Sequence, residues 1–150
     1  MKSLHEIPQQ EEIRTRLQTL DTWSERQWGK MDSAQALAHC ASAMEMALGD
    51  LKPPRVLIGR VLGGLVKSFA LGDDKPFKRN SPTAPELVIA DQREFDVEKQ
   101  RLSNLINRFV AGGPAACTTH PHAFFGKLTS AQWGVLEYKH LDHHLRQFGV

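Results

Sequence analysis

Cysteine is scarce in this chain. Cys40 and Cys117 are its only two in 150 residues, too few for a disulfide framework, and neither lies in a Cys-x-x-Cys pair that would grip zinc or run redox chemistry. A reducing compartment is expected. An excess of one charge is also missing: 19 Lys plus Arg against 17 Asp plus Glu leaves a formal charge of +2, far from the basic footprint of proteins that bind phosphate backbones. No nucleic-acid partner is expected. Long apolar runs are absent too, because the stretch Val56 to Leu71 is broken by Arg60 and Lys67 and falls short of the ~20 residues of a membrane-spanning helix. No membrane partner is expected. The first residues lack an apolar h-region and soon meet Glu6 and Pro8, unlike a secretory signal, so the expected location is cytoplasmic. No repeat is visible, and no segment alternates strictly enough for a strand.

What is present fits one globular domain over residues 1–150, with 41% hydrophobic and 24% charged residues. Pro8 opens a helical stripe of Ile13, Leu17 and Leu20. Asp32-Ser33-Ala34-Gln35 has the spacing of a capping box and starts a second helix, which runs to about Leu48 and stops at Gly49 ahead of Pro53-Pro54. The stretch Arg55 to Leu71 allows a further helix, weakened by Gly59, Gly63 and Gly64 at about 1 kcal/mol each. From Gly72 to Asp91, Pro76, Pro82 and Pro85 impose a long ordered loop. A third principal helix spans roughly Phe95 to Val110, and a second capping box, Thr129-Ser130-Ala131-Gln132, opens a fourth that reaches Phe148. The expected class is all-α, a four-helix bundle in which sites are built from side chains on facing helices.

Chemistry concentrates in the seven histidines. At about 100° per residue, His140 and His144 project from one side of the last helix a turn apart, a spacing that one metal ion bridges. Trp133, Leu136 and Glu137 share that side, so the two imidazoles face inward. On the second helix, Leu37, Cys40, Ala41, Met44 and Leu48 form the apolar stripe, Gln35, Ser42 and Glu45 mark the wet side, and His39 sits on the border. If these helices are neighbours, His39, His140 and His144 supply three neutral nitrogens, the ligand set of a catalytic zinc-type centre with an open position. The first alternative is a non-catalytic helical bundle that binds a metal or a small molecule, and the plainer one is that the histidines only pack or form ordinary hydrogen bonds. His143 points about 60° away, and packing or exposure suffices for it. His5, His120 and His122 fall in expected termini or loops and are read as solvated.

The same residues limit the metal chemistry. Leu141 occupies the place of the zincin general base, which disfavours a metalloprotease. Only one Glu-x-x-His occurs, Glu137 to His140, whereas a di-iron bundle needs two and further acids. A mononuclear centre is expected, and since imidazole nitrogens suit Zn, Ni, Fe and Cu alike, the divalent ion (Zn, Ni or Fe) stays unnamed. Glu137 is a candidate fourth ligand or general base, with a salt-bridged surface glutamate as the alternative. Cys40, on the core stripe, is expected to be buried and inert. The run Lys75-Pro76-Phe77-Lys78-Arg79 is read as a solvated loop that is also placed to recruit an anionic substrate.

Trp28-Gly29-Lys30-Met31, Leu37-Ala38-His39-Cys40, and Tyr138 through Phe148 with its His-x-x-x-His core together resemble the DinB/YfiT-like superfamily. Pro82-Thr83-Ala84-Pro85-Glu86-Leu87 and Phe125-Gly126-Lys127-Leu128 are similar to the branch known as domain-of-unknown-function family 1569. The resemblance covers about Trp28 to Phe148. It implies a four-helix bundle, often a homodimer, that binds one divalent metal ion through His39, His140 and His144. It also implies a small-molecule substrate and either hydrolysis or S-transfer with a low-molecular-weight thiol as cosubstrate. In the S-transfer case the metal would bind the thiol as thiolate.

Overall fold

A computed structural model describes residues 1–150, and its elements are five α-helices with no strands. Two of the expected helix starts carry full capping boxes, and a third carries an early proline. Helix α1 (Ile7–Thr19) carries Pro8 in its first turn, where a missing N–H costs nothing. Helix α2 (Ser33–Leu48) opens on a complete capping box. Asp32 accepts from the Gln35 amide at 2.8 Å, and the Gln35 side chain accepts from the Asp32 N–H at 3.0 Å. It ends at Gly49, whose φ of 83° is the left-handed conformation that glycine adopts without penalty. Thr129 and Gln132 repeat the box at the start of α5 (Ser130–Gln147).

The further helix is real. Helix α3 (Leu57–Leu71) forms in spite of its glycines, and two of them have a packing reason. A Cβ at Gly59 would come within 2.6 Å of the Phe124 carbonyl oxygen, and one at Gly63 would meet the same atom. Only these small residues let the chain around Phe124 lie against α3. Its opposite side is apolar yet open to water, with Leu57, Val61 and Phe69 at least three-quarters exposed. The long loop follows and is not featureless. A short 3-10 turn at Pro85–Leu87 buries the Leu87 side chain. Helix α4 (Phe95–Gly112) then leads through a second such turn, Gly113–Ala116, towards α5.

Helix α2 is the centre of the molecule. It packs against both α4 and α5, while α1 lies on α5. Ser42, expected on a wet side, is buried, and the helix is enclosed nearly all round. The core joins Ile13 and Leu17 of α1, Leu37 and Met44 of α2, Leu102 and Phe109 of α4, and Trp133 and Leu141 of α5. No helix is long and apolar enough to cross a membrane.

Two histidines read as solvated are structural. His5 stacks on Phe109 with ring centroids 4.9 Å apart and bonds the Ser130 carbonyl through Nε2 at 3.0 Å. His122 accepts the amide N–H groups of Phe124 and Phe125 on Nδ1 at 3.0 and 3.1 Å, which folds the turn that α3 packs against. Burial, aided by the Arg55 charge, lowers its pKa to about 4. His120 is half-buried. His5 is held by tertiary contacts, whereas His122 is held by the turn that it folds.

Candidate metal centre

The packing of α2 on α5 brings His39 against the His140/His144 pair. The three ring centroids lie 4.7 to 4.9 Å apart. One ligand nitrogen from each residue falls within 4.8 Å of the other two. His39 Nε2 and His140 Nε2 approach to 2.9 Å. His39 is buried, and His140 and His144 are half-buried.

The outer nitrogens decide what the inner ones can do. His39 Nδ1 lies 2.7 Å from the Leu87 carbonyl oxygen, an acceptor only, so this nitrogen carries the proton and donates. His144 Nδ1 likewise lies 2.8 Å from Gln147 Oε1, and the Gln147 amide donates to the Trp28 carbonyl at 2.9 Å, which fixes its orientation. Each of these imidazoles therefore turns an Nε2 lone pair inward, as metal-binding histidines do when an outer acceptor sets their tautomer. His140 Nδ1 is buried without a partner.

Burial also keeps the rings neutral. Solvent reaches an edge of His140 and His144, but the surrounding protein desolvates their rings. Desolvation is the main cause that lowers the pKa of His144 to about 3 and that of His140 well below its ordinary value, with the neighbouring histidines adding to both shifts. His39 is lowered by the same burial and partly restored by its bond to Leu87. Three neutral imidazoles with converging nitrogens fit a divalent ion that prefers nitrogen ligands and leave room for a fourth ligand that the protein does not supply.

Glu137 does not join the three histidines. It lies outside the group of three, fully buried, with Oε2 unpartnered and no ion pair, which also overturns the surface salt-bridge reading. Burial raises its pKa to about 8, and once ionised it would raise the thiols of Cys40 and Cys117. Cys40 is buried, and desolvation pushes its thiol far up, as expected of an inert cysteine. His143 packs edge-on against His144 at 5.0 Å and against Trp28 at 5.6 Å, outside the group. Asp142 is bound by Arg16 at 2.7 Å and by Arg146 at 2.9 Å.

Sequence reasoning missed the two outer acceptors. Gln147, three residues beyond His144, had the right helical offset to be found. The Leu87 acceptor is a main-chain atom that any residue provides, so no sequence signal marks it.

The family described as "Protein of unknown function (DUF1569)" matches residues 1–149. No curated protein and no solved structure matches the chain.

Proposed function

The chain belongs to the DUF1569 family, and from that premise we propose that it is a mononuclear metal-dependent enzyme acting on a small molecule. His39, His140 and His144 are the ligands of one divalent ion, Zn, Ni or Fe. The observation that carries this reading is the convergence of three neutral imidazole nitrogens, two of them with outer N–H groups tied to acceptors. The helices α1, α2, α4 and α5 form the four-helix frame of a DinB/YfiT-like protein in this reading, with α3 as an addition. A cytoplasmic location belongs to the same proposal.

When bound, the ion supplies Lewis-acid activation of a water for hydrolysis or of a low-molecular-weight thiol for S-transfer. The protein does the rest. The Leu87 carbonyl and the Gln147 amide hold two rings in the ligating tautomer, and burial keeps all three imidazoles unprotonated at neutral pH. Glu137, one turn from His140, holds a proton at neutral pH and is the candidate acid–base group.

Metal content of the purified protein tests the assignment. Elemental analysis is expected to find about one transition metal per chain in the wild type and less than a tenth of that in His140→Ala. Equal occupancy in both removes the assignment. A second, non-catalytic reading rests on the 2.9 Å His39–His140 separation, which an N–H···N hydrogen bond also satisfies. A protein that stays metal-free in the presence of added Zn and Ni, with unchanged melting, supports that reading.

A further inference from the structure

A cavity of about 610 Å³ lies beside the histidine group, and no step of the reading above uses it. Trp28, Phe77, His143, Arg79 and Arg146 are among the residues that line it. No aspartate or glutamate lines it. Arg79 lies over the Trp28 ring at 4.3 Å, a contact that steadies the guanidinium plane while leaving its N–H edge without a protein acceptor. Arg146 spends only Nε on Asp142, at 2.9 Å to each carboxylate oxygen, so its two terminal nitrogens have no partner. Val150 also lines the cavity, and its carbonyl oxygen accepts from Arg16 at 3.0 Å.

Two unsatisfied planar cations on an aromatic wall match an oxyanion joined to a flat or apolar body. Arginine forks bind carboxylate and phosphate oxygens in pairs, and a ring face next to them favours a planar substituent over bulk ions. None of the three grouped histidines lines the cavity, but residues of its wall contact them or their partners. His143 meets the His144 ring edge, the Gln147 side chain that orients His144 donates to the Trp28 carbonyl, and the Gln147 main-chain carbonyl accepts from the Gln27 main-chain N–H at 2.6 Å.

We propose that this cavity binds a small organic anion, a carboxylate or phosphate carried on a planar apolar body, through Arg79 and Arg146. Its role as the substrate's anchor rests on the metal-enzyme reading, whereas the binding itself does not.

Calorimetric titration with benzoate, and with benzamide as the neutral isostere, tests the site in EDTA-treated and in metal-loaded protein. Benzoate is expected to bind both forms at least tenfold tighter than benzamide. Arg79→Ala and Arg146→Ala are each expected to weaken benzoate about tenfold. Arg79 stands on an exposed loop without an ion pair, so its variant gives a clear result even if loss of the Asp142 contact unfolds Arg146→Ala. Equal affinity for benzoate and benzamide, or wild-type affinity in Arg79→Ala, overturns the proposal. Arginine-dependent binding by a protein that never takes up metal upholds the anion site and defeats the metal reading. Binding that needs metal and ignores Arg79 does the reverse.

Discussion

Among the polar side chains that helix α5 holds away from water, the His140/His144 pair and Glu137 lie a turn apart, and the chain treats them differently. At His140 and His144 it recruits a third imidazole from α2 and gives two of the three rings an outer acceptor. At Glu137 it provides nothing for Oε2 and lets burial keep the carboxyl protonated. A buried polar group without a partner costs roughly 1 to 3 kcal/mol. The contrast shows where the fold invests in orientation. The histidines are aimed, while the glutamate is merely kept neutral.

The sharpest way to break this contrast is to remove an aimed ring. His39→Ala is expected to lower zinc affinity by more than the roughly 10- to 100-fold typical of an outer partner, measured by competition with a chromophoric chelator. Affinity within threefold of the wild type means that the imidazoles are not ligands.

Next in size is the unaimed group. The carboxyl pKa of Glu137 is raised in the folded state, to about 8 from an ordinary 4.5. The unfolded chain therefore loses its proton first as pH rises. Stability is full below about pH 4.5, falls through the window up to about pH 8, and is then level, a loss on the order of several kcal/mol. Glu137→Gln is expected to abolish that part of the slope in urea unfolding at pH 5 and pH 8.5. Parallel slopes for the two proteins refute it.

A smaller effect separates the two outer acceptors. Gln147→Ala is expected to weaken metal binding roughly 10- to 100-fold, whereas Leu87→Ala, which keeps the carbonyl, leaves metal affinity nearly unchanged while lowering the melting temperature. Equal losses of metal affinity in both variants contradict the tautomer argument. The smallest concerns the frame alone. Asp32→Ala removes a cap at the start of the helix that carries His39 and is expected to cost about 1 kcal/mol in unfolding without changing metal stoichiometry.

The helices were legible because their boundaries are local chemistry. Asp32 with Gln35, Thr129 with Gln132, and Gly49 each mark an end through atoms a few residues apart. The His140/His144 pair was legible for the same reason, being one turn of one helix. His39 needed the further assumption that α2 meets α5, which the packing bears out. What stayed hidden is long-range. His5 on Phe109 and the enclosure of Ser42 depend on which helix covers which, and periodicity does not report that. The glycines of α3 weaken a helix when read alone. Their reason lies more than sixty residues away, in the backbone at Phe124.

The Leu87 bond to His39 has a consequence for how this centre drifts under mutation. Its acceptor belongs to the peptide unit, which every codon at position 87 preserves, so single-base changes there leave the ring's tautomer alone. The counterpart at His144 hangs on one glutamine, and almost any missense change at position 147 erases it. One imidazole is thus oriented by the path of the loop, which changes that move the backbone between α3 and α4 would disturb. The other is oriented by spelling.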